Sequence, residues 1–147
     1  MTPQKQLDAF MAKYTPALAK SAKAMLSKMR RRLPGAVEMV YDNWNGLVIG
    51  FGPTERPSDA LLSLLLLPEH VTLCFLQGAK LRDPKKLLRG SGNQVRHIQL
   101  VNGPDDLDSQ DIDDLIERAI ASVEFPEKRR LIIKSISPKQ RPRRPSK

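Results

Sequence analysis

One cysteine in the whole chain rules out an internal disulfide, and Cys74 sits in an apolar strand pattern, where a thiol packs as a small core residue. Long apolar runs are missing as well. The longest, Leu61–Leu67, stops at Pro68 and falls short of the roughly 18 residues a membrane span needs, so no transmembrane helix is expected. The opening MTPQKQLDAF has no basic region followed by an apolar stretch and a small-residue cleavage site. A cytoplasmic location is therefore the expectation.

Catalytic signatures are equally scarce. There is no Walker A loop, no G-x-S-x-G elbow, no H-E-x-x-H and no cysteine pair. His70 and Cys74 share one side of a strand, yet four positions of strand separate them by roughly 13 Å, too far for a nucleophile and its base. These absences favour a protein that acts by binding rather than by catalysis.

Charge is plentiful and uneven. The formal net charge is +9, but the eight basic residues up to Leu33 face Asp8 alone, and the nine from Glu127 onward face Glu127 alone. The middle of the chain is net acidic. Such asymmetry directs attention to the two ends when an anionic partner is considered.

With 40% hydrophobic and 28% charged residues the chain reads as one globular domain. Thr2-Pro3 and Thr15-Pro16 are helix starts, a capping hydroxyl followed by a proline whose fixed φ suits the first turn. The second helix runs to about Leu33, with Leu18, Ala22, Met25, Leu26 and Met29 on one face and Lys20, Lys23, Lys28, Arg30 and Arg31 on the other. Ala36–Trp44 and Leu47–Phe51 flank Asn45-Gly46, the signal for a type I′ hairpin. Leu61–Leu67 and Val71–Leu76 form a second strand pair joined at Pro68-Glu69, and Val95–Val101 is a last strand. Asp111–Val123 carries a helical apolar stripe. RRLIIKSIS fits a strand or a helix equally, and SPKQRPRRPSK, with no apolar surface to offset ordering entropy, is expected to be disordered. The fold class expected is α+β, a single antiparallel sheet of about five strands packed by two N-terminal helices and a C-terminal helix. Residues 1–125 make up the domain, and residues 126–147 a basic Pro/Arg-rich segment that is at least partly disordered.

The stretch HVTLCFLQGAKLRDPKKLLRGSGNQVRHIQL, His70–Leu100, organises the rest. In it Asp83 is placed to cap a short helix starting at Pro84 and Gly90 to close it. With PGAVEMVYD before it and DIDDLIERAI after it, this stretch resembles the YdhG-like family, a group of domains of unknown function. The match covers most of Tyr14 to Ala121 and rests on Asp83-Pro84, Leu87-Leu88, Gly90, Gly92 and Arg96-His97 at fixed spacing, with Asn93 in place of an expected basic residue. The resemblance implies a compact α+β domain with one antiparallel sheet. For some members a frataxin-like iron-chaperone role has been proposed, which makes iron a candidate ligand.

Four sets of site residues emerge. Alternation puts Arg96 on the core side of its strand, where a guanidinium needs a partner; Glu38 is the expected one. Alternatively Arg96 faces a pocket beside Gly90-Ser91-Gly92, whose amides bind an anion together with Arg89 and His97. An enzyme would have to use Arg96 and His97. For iron, the acidic run supplies Asp111, Asp114 and Glu117 as oxygen ligands, although acids at a helix start also serve the exposed amides and the macrodipole. For nucleic acid, Arg141, Arg143 and Arg144 lie in an extended proline-rich tail suited to phosphate contact; the tail itself has no aromatic residue on which a base could stack.

Overall fold

A computed structural model describes residues 1–146. Both expected threonine caps are present: Thr2 accepts from the amide of Lys5 at the head of α1 (Pro3–Met11), and Thr15 from that of Leu18 at the head of α2 (Pro16–Arg32). The hairpin of β1 (Val37–Asp42) and β2 (Leu47–Gly52) follows. Its tip differs from expectation. Asn43 donates to the Gly46 carbonyl at 3.0 Å, so Trp44-Asn45 is the tip, and neither Asn45 nor Gly46 takes the positive φ of a type I′ turn.

β3 (Leu62–Leu66) and β4 (Val71–Phe75) form the second hairpin, and β5 (Arg96–Gln99) lies outside β4. The capped helix α3 (Gln110–Ile120) comes next, with Ser109 as its N-cap. The undecided RRLIIKSIS segment becomes β6 (Arg130–Ile136), paired parallel to β1. The class is α+β, but the sheet has six strands in the order β5-β4-β3-β2-β1-β6 and is mixed, not purely antiparallel. β6 also moves the boundary expected at residue 125, because the basic C-terminal segment supplies a strand of the same sheet.

Helices cover one side of this sheet. Val40, Leu47, Ile49, Phe51, Leu62, Leu64, Leu66, Leu73 and Phe75 join Leu7, Met11, Met25, Met29, Leu115 and Ile116 in one buried cluster. Val37 and Met39 point the other way by alternation and pack with Ala60, Tyr41, Leu76 and Ile132 on the uncovered side. Cys74 also lies on that side, half-buried rather than in the core.

The miniature helix expected at Asp83–Gly90 does not form. The Asp83 carboxylate does cap, accepting from the amides of Leu87 at 3.0 Å and Leu88 at 2.9 Å, but Lys86 turns to φ 54° and Gly90 to φ 121°. Arg89 then pairs with His97 through two backbone bonds of 2.8 and 2.9 Å. Pairing to a strand edge satisfies the backbone that a single helical turn would leave largely unbonded, so the tertiary contact prevails over local propensity.

Candidate functional site

β1 determines where both basic ends of the chain go. Its helix-facing row is Glu38, Val40, Asp42, and the two carboxylates are both fully buried. A buried carboxylate is tolerated only when cations or donors surround it. Glu38 receives two hydrogen bonds from Arg30 Nε, at 2.9 and 3.1 Å, and one from Arg30 Nη2 at 2.7 Å; Arg129, just ahead of β6, approaches at 3.5 Å. Asp42 meets Lys13 at 2.8 Å and Arg143 at 3.1 Å. Each acid thus joins one residue from the basic N-terminal region to one from the basic C-terminal region.

The Asp42 cluster orders the tail, which was expected to be disordered. After β6, Ser137 donates its amide to the Asp42 carbonyl at 2.9 Å, and the Gln140 side-chain amide donates to the same carbonyl at 3.1 Å. Arg143 is only 5% exposed. It donates to the Asp42 carboxylate and to the carbonyls of Trp44 and Asn43, and its guanidinium lies 5.9 Å from the Tyr14 ring. Tyr14 in turn donates to the Leu66 carbonyl at 2.8 Å and accepts from the Leu47 amide at 3.1 Å, tying α1–α2 to both hairpins. Burial pushes the Tyr14 phenol up, against the lowering effect of Arg143. Arg143 is therefore an internal anchor and not the phosphate contact its position in the tail suggested.

The other two tail arginines face outward. Arg144 Nε donates to the Lys13 carbonyl at 3.1 Å and Nη2 to the Ala12 carbonyl at 3.5 Å, and the residue shares with Lys20 and Lys23 a cleft of about 460 Å³ lined also by Tyr14 and Pro16. Arg141 donates its amide to Trp44 at 2.9 Å and Nη1 to the Asn45 side chain at 2.7 Å, with its guanidinium 5.4 Å from the Trp44 ring. A second cleft, about 370 Å³, lies between the two hairpin tips and the tail and is lined by Asn45, Pro68, Glu69, His70, Arg141, Arg144 and Ser146 among others. No carboxylate of the described residues pairs with Lys20, Lys23, Arg141 or Arg144. Lys28 and Arg32 of the same helix, by contrast, are held by Asp108 and by Asp113 with Glu117.

The Glu38–Arg96 pair is absent. β5 and β1 are four strands apart, on the order of 19 Å at sheet spacing, and the cation at Glu38 is Arg30. Arg96 is half-buried; its stem passes over Gly78, where any Cβ would come within 2.6 Å of the Arg96 Cβ, and Nη1 donates to the carbonyls of Gly92 at 2.5 Å and Val95 at 2.9 Å. Arg96 thus braces the Gly90-Ser91-Gly92 corner, which is itself exposed. His97 lies opposite Cys74 in the β4–β5 register, and Cys74 opposite Ser63 in β3, a row that sequence spacing could not reveal. Burial raises the Cys74 pKa, with Ser63 only partly offsetting it, so the row holds a neutral thiol, not a thiolate nucleophile.

The three expected iron ligands do not form one set. Asp111 and Asp114 line a small hollow with Asp83, Lys85 and Arg118, where Asp114 accepts from Gln110 at 2.8 Å, but Glu117 is turned away to Arg32. Among the described residues no group of three or more His, Cys, Asp or Glu side chains is placed to hold a metal ion, and no helix is long and apolar enough to cross a membrane. Comparison of the chain with protein-family models, with curated proteins and with solved structures finds no match.

Proposed function

We propose that this is a non-catalytic, cytoplasmic binding protein of the YdhG-like type whose ligand is nucleic acid, held through phosphate contacts by the joined basic ends of the chain. The observation that carries this reading is the meeting of Lys20 and Lys23 from α2 with Arg144 from the tail at one cleft, with Arg141 on the same tail segment. Cations paired with carboxylates gain little from a phosphate, whereas each unpaired one that neutralises a phosphate releases counterions and strengthens binding at low salt. The ion pairs of the described residues engage Lys13, Lys28, Arg30, Arg32, Arg129, Arg130 and Arg143, and none of them engages the cations of this group.

The test is binding of the full chain to duplex and single-stranded oligonucleotides across a range of salt. Affinity should fall steeply with salt, and the combined substitution Lys20→Gln, Lys23→Gln and Arg144→Gln should weaken it and reduce the slope by about one to three units. Tail deletion is the poorer experiment, because it also removes Arg143 from buried Asp42. Failure of the intact protein to bind either form at low salt overturns the proposal.

A further inference from the structure

The β1–β2 tip adds a feature that phosphate contact alone does not use. Trp44, the only tryptophan, is 54% exposed there, unlike every aromatic residue of the helix-covered core. Its neighbour Arg141 is fixed from two sides, by its amide on the Trp44 carbonyl and by Nη1 on Asn45, so the guanidinium is preset beside the indole at 5.4 Å. The cleft of about 370 Å³ that Arg141 lines brings it together with Arg144 and His70, and Glu69 is its one carboxylate side chain among the described residues. We propose that Trp44 and Arg141 form a stacking platform for an unpaired nucleobase whose phosphates run into that cleft, so that the protein selects single-stranded over duplex nucleic acid.

The inference rests on the nucleic-acid reading and narrows it to a substrate class. A duplex keeps its base faces inside the stack and offers a protruding indole only its backbone. A single strand offers both base and phosphate, and stacking on an aromatic face is tolerant of sequence, while a neighbouring guanidinium adds cation–π attraction. The tail lacks an aromatic residue of its own; the fold supplies one from β1–β2, about a hundred positions earlier in the chain.

Because Trp44 is the sole tryptophan, its emission reports the platform directly. Thymidine and uridine homopolymers, a duplex of the same length and heparin are titrated into the full chain at low salt. One or both homopolymers should quench the emission, while heparin, which has no base, binds without quenching. Affinities of the variants, which carry no tryptophan, are read from the anisotropy of dye-labelled homopolymer, duplex and heparin: Trp44→Ala should weaken homopolymer binding about tenfold or more and leave duplex and heparin affinity unchanged; Trp44→Phe should retain most of the homopolymer affinity, with thermal melts checking that both variants fold. Equal effects of Trp44→Ala on homopolymer and heparin, or none on either, overturn the platform while leaving phosphate-mediated binding intact. Loss of all nucleic-acid binding in the wild type would instead overturn the parent reading.

Discussion

Arg143 and Asp42, 101 positions apart, form a buried ion pair at 3.1 Å, with both side chains almost wholly removed from solvent. Arg143→Met should cost about 3 kcal/mol in urea unfolding, the low end for breaking a buried pair because Lys13 still faces Asp42. The tail should become protease-sensitive before the domain unfolds. Adding Asp42→Asn should recover part of the loss, since the uncompensated charge is then gone.

Acid should weaken the same anchor. Burial alone would raise the Asp42 pKa, but Lys13, Gln140 and Arg143 together outweigh it and hold the carboxyl below its ordinary value. A folded pKa below the unfolded one means stability that is fully present above about pH 4 and lost as pH falls further through the folded value. Thermal melts between neutral pH and acid should show wild type losing more than Asp42→Asn in that window. Parallel curves for the two proteins would contradict this.

Arg30 and Arg96 should behave in opposite ways. Arg30→Met strips buried Glu38 of its bidentate partner and should cost about 3 kcal/mol or more. Arg96→Met removes only bonds to exposed loop carbonyls and should cost less than about 1 kcal/mol. Denaturant midpoints of the two variants measured side by side provide the comparison.

Cys74 should be a slow thiol. Burial pushes its pKa up and Ser63 offsets this only in part, so at neutral pH the thiolate fraction is small. A chromogenic disulfide reagent should react with the native protein roughly tenfold or more slowly than with the urea-unfolded chain. Equal rates would place the sulfur in a more open, more acidic setting than the fold gives it.

What the sequence determined by itself was local. The capped starts of α1 and α2, the apolar stripe of α3 and the two hairpins rest on threonine-proline steps, helical periodicity and turn residues, all of which act within a few positions. Tertiary structure decided the rest. LIIK reads equally well as helix or strand until β1 offers a free edge on which β6 can pair in parallel. DPKKLLRG carries good helix signals, yet Arg89 gains more by pairing with His97. Glu38 needed a cation, but strand order gave it Arg30 and set Arg96 four strands away. The tail offered nothing apolar to bury, and it is held in place by buried Asp42, whose charge Arg143 helps to compensate. Partner choice across a hundred residues depends on which strands become neighbours, and composition or periodicity carries no record of that.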